Sequence, residues 1–226
     1  MKILARGSNT RIKELQEKLG DKADNLTWVD DLDLISDNVN DYDLIFDLKF
    51  DDHENRLKYY AHLKNKPVIV GAVKQQLAKA KFDYAREVEC TLIGMNTLPG
   101  FINRSLVECS LLDINKKNEL DFLMKALGWE YKLVQDRVGM VTPRVVFMII
   151  NEACYTLQEG TADMKDIDTS MKLGTNYPYG PFEWADKIGI KHVYQTLEAM
   201  YQDTHDERYK ICPLLKTKFL KNESFY

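Results

Sequence analysis

Residues 159–186 read EGTADMKDIDTSMKLGTNYPYGPFEWAD, and they carry the clearest local structural signals in the chain. Asp163, or Thr161, can cap a short helix at its N-terminus, and Gly174 can end that helix. Gly180-Pro181 then resets the chain, because proline is favoured at the first position of a helix. The segment therefore predicts two short helices joined by a turn.

Helical spacing extends outward from this segment and begins at Glu119. One predicted helix ends at Gly128, where glycine can take the left-handed conformation. A second begins at Thr142-Pro143 as N-cap and first position, and it runs to about Gly160. This helix is apolar on every face, so we expect it to be the central, buried helix of a helical domain. An amphipathic helix follows from Ile190.

The first half of the chain alternates short apolar runs with helical stretches. The candidate strands are Lys2–Ala5, Leu26–Val29, Asp43–Leu48, Pro67–Gly71 and Cys90–Met95. The candidate helices between them contain Ile12, Leu15 and Leu19, and Leu57, Tyr60 and Leu63. This alternation predicts a parallel sheet with helices on its faces. We place the boundary between the two halves near residues 109–117.

Charge and composition exclude several classes of protein. The net charge is −4 and residues 30–54 are strongly acidic, which argues against nucleic-acid binding. We expect all but one or two aspartates of that stretch to be solvated. The longest apolar run, Val145–Ile150, is far too short to span a membrane, so we expect a cytoplasmic protein. The cysteines and histidines have no metal-ligand spacing, which predicts free thiols and no metal site.

The stretch 159–186 resembles the C-terminal domain of the 3-hydroxyacyl-CoA dehydrogenase family, whose pattern there is EG…DID-x-AMK-x-G-x-x-P-x-GPFEL-x-D. The resemblance implies an α/β domain followed by an all-α domain. The first, residues 1–112, would be a shortened Rossmann-like, nucleotide-binding parallel-sheet domain. The second, residues 113–226, would be helical, form the homodimer and help to bind an acyl-CoA. The implied reaction is the NAD-dependent oxidation of 3-hydroxyacyl-CoA to 3-ketoacyl-CoA in fatty acid metabolism.

A Rossmann-like domain should carry G-x-G-x-x-G after its first strand, because the glycines let a pyrophosphate approach the helix N-terminus. The aligned residues are Ala5-Arg6-Gly7-Ser8-Asn9-Thr10, in which only Gly7 remains. We expect the side chain of Thr10 to push the helix away from the strand. The alternative is a turn without a ligand, in which Ser8 or Asn9 only caps the helix.

The acidic residue that would bind the adenosine ribose belongs at the end of the second strand. Asp30 and Asp31 stand there. The resemblance therefore implies NAD contacts at Gly7, Ser8, Asp30 and Asp31, and the missing glycines imply that NAD binding is weak or absent.

The family's catalytic residues are a histidine base, a glutamate that orients it, and a serine and an asparagine that bind substrate oxygens. Asn96 occupies the histidine position, after the strand that ends at Met95. A carboxamide takes up no proton near neutral pH, so Asn96 cannot be a general base. Glu108 falls at the glutamate position, Gln75 at the serine position and Pro143 at the asparagine position.

Three functions therefore stay open. The chain is a family member with a degraded catalytic site, or a fully active but divergent 3-hydroxyacyl-CoA or 3-hydroxybutyryl-CoA dehydrogenase. The third possibility is a pseudoenzyme that serves as a non-catalytic dimeric binding module.

Overall fold

Two units make up the structure, a computed structural model that describes residues 1–30, 39–53 and 55–226. The first unit is Met1–Met140 and the second is Val141–Tyr226. The division lies further along the chain than the predicted boundary after residue 112. The reason is that a helix and a strand beyond that residue still pack with the sheet of the first unit.

Seven strands of the first unit form one sheet in the order β2-β1-β3-β4-β5-β6-β7. The strands are β1 Ile3–Arg6, β2 Leu26–Val29, β3 Leu44–Asp47, β4 Pro67–Gly71, β5 Thr91–Met95, β6 Leu106–Leu111 and β7 Glu130–Leu133. All neighbours run parallel except β5 and β6, which are antiparallel. Strands β1, β3 and β5 are buried along their whole length, which explains their continuous apolar character.

The helices of the first unit are α1 Asn9–Leu19, α2 Leu77–Tyr84 and α3 Lys117–Leu127. Helix α1 buries Ile12, Leu15 and Leu19, in agreement with the predicted spacing. Helix α3 ends as predicted at Gly128, which has a φ of 75°. The predicted fold class, an α/β sheet domain followed by a helical domain, is confirmed.

Three predictions for the first unit were wrong. Strands β6 and β7 were not predicted, and β7 interrupts a region that we expected to be entirely helical. The predicted helix around Leu57 is a single 3₁₀ turn, Leu57–Tyr59. Thr10 is exposed, so its side chain does not separate α1 from the sheet.

The second unit consists of helices α4 Thr142–Gln158, α5 Met164–Thr175, α6 Pro181–Ile188, α7 Ile190–Thr204 and α8 Pro213–Lys221. Helix α4 packs against each of the other four, as expected of a central helix. It is not buried on every face, because Val145 is 57% exposed. Its N-cap is Val141 rather than Thr142, a shift of one residue.

The 159–186 segment folds largely as its residues indicate. The side chain of Asp163 caps α5 by accepting from the backbone N–H of Asp166 at 2.8 Å. Gly180 is the N-cap of α6 and Pro181 is its first residue. Gly174 does not end α5, because Asn176 takes the left-handed conformation two residues later. Within the described ranges, we find no helix with the length and apolarity to cross a membrane.

Candidate functional site

The strand order of the first unit reverses at β1, which has β2 on one side and β3 on the other. Ligands of open α/β sheets bind outside the carboxyl ends of the strands at such a switch point. The last residues of β1 and β3 are Arg6 and Asp47, and they are register partners. Their side chains therefore determine what this edge of the sheet can accept.

Arg6 and Asp47 form a buried ion pair. The Nη1 of Arg6 donates to the Oδ1 of Asp47 at 3.0 Å, and the two side chains are 2% and 0% exposed. Asp47 also accepts from the hydroxyl of Tyr60 at 2.9 Å. Burial raises the pKa of the Asp47 carboxyl, while Arg6 and Tyr60 oppose that rise. Burial and the charge of Asp47 raise the pKa of Tyr60 well above its ordinary value, so Tyr60 is a neutral donor.

A second set of contacts extends this arrangement to α1 and β4. The Nη1 of Arg11 donates to the Oδ2 of Asp52 at 2.8 Å, and Lys74 pairs with the other oxygen of the same carboxylate. Asp51 accepts from the backbone N–H groups of Val73 and Lys74 at 2.8 and 2.9 Å. We call these residues the strand-end network: Arg6, Arg11, Asp47, Asp51, Asp52, Tyr60 and Lys74.

The predicted nucleotide residues lie beside this network. The carbonyl of Gly7 accepts from the indole N–H of Trp28 at 3.0 Å. Ser8 is the N-cap of α1, but its side chain makes no capping hydrogen bond. Asp30 is exposed and pairs with the Nζ of Lys49 at 2.7 Å. Asp31 lies outside the described residues.

The predicted catalytic positions lie on neighbouring strands: Asn96 directly follows β5, and Glu108 is within β6. The antiparallel pairing of β5 and β6 matches Gly94 with Ser110 and Met95 with Cys109. One further step in this register matches Asn96 with Glu108. Asn96 is 5% exposed, and its Oδ1 accepts from the backbone N–H of Leu98 at 3.2 Å. The residue predicted for the family's base position is thus a buried, neutral amide.

The other two predicted positions are less informative. Gln75 follows β4 and donates to the carbonyl of Phe50 at 3.5 Å, beside the strand-end network. Pro143 belongs to the second unit, where it is buried in the first turn of α4. Among the residues that the structure describes, no cluster of histidine, cysteine or carboxylate side chains could hold a metal ion.

Sequence reasoning missed the strand-end network. Among the described aspartates of the acidic stretch only Asp47 is buried, in line with the expectation that all but one or two are solvated. The signal was present at the ends of two strands. The sequences ILAR and LIFD each place a charged residue after three apolar ones, with opposite signs. Parallel neighbours end at the same edge of a sheet, so these two charges meet because β1 and β3 are neighbours in the structure.

Comparison with known proteins identifies the second unit most clearly. Residues 139–224 match the family model described as 3-hydroxyacyl-CoA dehydrogenase, C-terminal domain. The chain is 42% identical over 92 residues to the 3-hydroxyadipyl-CoA dehydrogenase of Escherichia coli, covering 41% of this chain and 19% of that protein. It is 28% identical over 186 residues to the 3-hydroxybutyryl-CoA dehydrogenase of Bradyrhizobium diazoefficiens, covering 79% of this chain and 63% of that protein.

In both cases the aligned part spans less than two thirds of the relative's own length. The fold also resembles the crystal structure of (S)-3-hydroxybutyryl-CoA dehydrogenase PaaH1 from Ralstonia eutropha, with a TM-score of 0.75. That match has 18% sequence identity and covers 98% of this chain and 94% of that one. The likeness of structure supports the fold alone. Residues 139–224 therefore resemble the C-terminal domain of the 3-hydroxyacyl-CoA dehydrogenases, and the chain as a whole is similar to members of that family.

Proposed function

We propose that this protein is a family member with a degraded catalytic site, which keeps the scaffold as a dimeric binding module for an acyl-CoA-type molecule. One observation supports the proposal: Asn96, the residue directly after β5, is buried at the position where the resemblance predicts a histidine base. Oxidation of a hydroxyl to a ketone requires a base for the hydroxyl proton. The amide of Asn96 cannot take that proton, and Glu108 has no imidazole to orient.

The remaining family positions support the same conclusion. Gln75 presents its amide to a backbone carbonyl, and Pro143 has neither a side-chain donor nor an acceptor. The family resemblance implies NAD as the cofactor, and we expect weak or absent NAD binding here. No step of the proposed function depends on a bound cofactor.

A turnover assay tests the proposal. Purified protein given acetoacetyl-CoA and NADH should oxidise NADH at least ~100-fold more slowly than a competent family member, because positioned acid–base catalysis typically contributes 10²–10⁴. Asn96→Ala should leave that residual rate unchanged, and Asn96→His alone should restore little because Gln75 and Pro143 also differ.

A fast turnover rate would contradict the proposal. Robust NADH oxidation that survives Asn96→Ala would show that another residue acts as the base, and the divergent but active dehydrogenase would then be the correct function. Glu108→Gln distinguishes the two cases, since its half-buried carboxylate is the titratable group opposite Asn96. Loss of a robust rate in that variant would identify Glu108 as the replacement base.

A further inference from the structure

The strand-end network supplies its own counter-charges at the switch point of the sheet. Its cations are Arg6, Arg11 and Lys74, and its carboxylates are Asp47, Asp51 and Asp52. Binding a dinucleotide at a strand-to-helix turn relies on unoccupied backbone N–H groups and positive charge facing its phosphates. Here the positive side chains already face aspartates, so the edge offers little net attraction to an anion.

The turn at Gly7 shows whether the pyrophosphate of a dinucleotide would fit. In a dinucleotide site the absent side chain of this glycine leaves room for the pyrophosphate. A Cβ built on Gly7 would lie 3.0 Å from the side chain of Leu48 and 3.2 Å from that of Ile12. The space in front of this glycine is therefore filled by the protein itself. Gly7 is needed here for packing between β1, α1 and the loop after β3.

Burial closes the same place to a ligand from outside. The Nε of Arg6, one terminal nitrogen of Arg11 and the Oδ1 of Asp51 are buried, and they have no hydrogen-bond partner among the residues that the structure describes. Of these atoms only the two arginine nitrogens could donate to a phosphate, and Arg6 could turn toward one only after the Arg6–Asp47 pair had opened. A buried ion pair resists opening, because separation leaves each charge without a partner in a poorly solvated site. The residues present therefore do not fit a dinucleotide.

We propose that the strand-end network seals the switch-point crevice with the chain's own carboxylates, so that the first unit binds no dinucleotide. The ion pair between Arg6 and Asp47 closes the gap between β1 and β3. Asp52 holds Arg11 and Lys74 together across the first turn of α1 and the loop after β4. These carboxylates pair with the cations that would face the phosphates of a cofactor in an open site.

Equilibrium binding to the intact, wild-type protein tests the seal without any requirement for turnover. NADH titrated to about 1 mM should give no saturable change in nucleotide fluorescence. NAD⁺ should not raise the melting temperature of the protein. A ligand that binds would raise it, because at 100 times its Kd it stabilises the folded state by about 2.7 kcal/mol. Saturable binding of NADH with a Kd in the tens of micromolar would overturn the proposal.

Removing one carboxylate should unmask the cations. In Asp52→Asn, Arg11 and Lys74 lose their shared partner, and inorganic pyrophosphate should then raise the melting temperature by several degrees more than it does for the wild type. The matched control is Asp121→Asn, which removes the same charge from an exposed pair with Lys117 on α3. The control should respond to pyrophosphate as the wild type does.

An equal pyrophosphate response in all three proteins would contradict the assignment of Asp52. If Asp52→Asn fails to fold, the NADH titration of the wild type still decides the proposal. The inference is independent of the proposed function, because a family member without a base could still bind NAD. Tight NADH binding with no turnover would reject the seal and leave the role of Asn96 intact.

Discussion

At the scale of single residues, the cysteines show how burial controls reactivity. All four, Cys90, Cys109, Cys154 and Cys212, are free, as their spacing predicted, and all four are buried. Burial raises the pKa of both Cys90 and Cys109 to about 12. At neutral pH only about 10⁻⁵ of such a thiol is in the reactive thiolate form.

We therefore predict that iodoacetamide at pH 7.5 leaves the cysteines of the native protein unmodified over an hour. The same treatment in guanidinium chloride should alkylate all of them, because unfolding returns each thiol to its ordinary pKa. Intact-mass spectrometry counts the adducts. Rapid, stoichiometric alkylation of the native protein at Cys90 or Cys109 would contradict the prediction.

The candidate site was predictable only where a single position carries the signal. The strand before Asn96, with the sequence TLIGM, was predicted to end at Met95 and does so, whereas the role of Asn96 stays a prediction. The pairing of Arg6 with Asp47 was missed because it depends on which strands become neighbours. Sequence spacing cannot specify that order, although the strand ends themselves were predicted within one residue.

At the scale of elements, prediction succeeded where one element buries a continuous face. The 3₁₀ turn near residue 57 was misread because Leu57, Tyr60 and Leu63 are buried at a spacing of three, which suits a 3₁₀ turn as well as an α-helix. Strand β7, with the sequence EYKL, is partly exposed at the sheet edge. Its short alternation of polar and apolar residues gave too weak a signal.

The joint between α5 and α6 gives a prediction at the same scale. Asp168 of α5 is 2% exposed and accepts from the backbone N–H groups of Phe182 and Glu183, in the first turn of α6, at 2.9 and 3.1 Å. A Cβ on Gly180 would overlap the side chain of Asp168, whereas a Cβ on Gly174 would have nothing within 4 Å. The two glycines should therefore respond oppositely to the same substitution.

Gly180→Ala should lower the free energy of unfolding by about 2 kcal/mol, because Asp168 must leave its hydrogen bonds to make room. Gly174→Ala, within α5, should raise it by up to ~1 kcal/mol through better helix propensity. Urea denaturation followed by circular dichroism measures both. Equal effects of the two substitutions would show that Asp168 does not constrain the joint.

At the scale of the whole molecule, the family-model match and most of the candidate site residues lie in different units. The family match covers residues 139–224, which are almost entirely the helical unit. The strand-end network and the pair Asn96 and Glu108 lie in the sheet unit. The best-matched segment is explained by helix caps and turns, so its resemblance to the family's C-terminal domain does not indicate turnover.

The surface of the helical unit bears on assembly. Four apolar residues of α6 and α7 are buried within the unit, namely Ile188, Ile190, Val193 and Leu197. Apolar surface is found instead on α4, where Val145 is 57% exposed. One turn further, Ile149 lines a mainly apolar cavity of about 370 Å³ between α4 and α5. Exposed apolar patches of this kind commonly mark interfaces.

We predict a homodimer formed through the face of α4 that carries Val145 and Ile149. A second copy of the chain would remove these side chains from water, and a two-fold interface buries the same patch on both chains. Sedimentation velocity at micromolar concentration should give twice the mass of one chain. Val145→Glu should shift the protein to monomer, since it places a charge in the buried patch. Phe122→Glu, at a residue that is 76% exposed on α3 of the sheet unit, is the matched control and should remain dimeric. A wild-type protein that sediments as a monomer would reject the dimer, and a dimer that survives Val145→Glu would place the interface elsewhere.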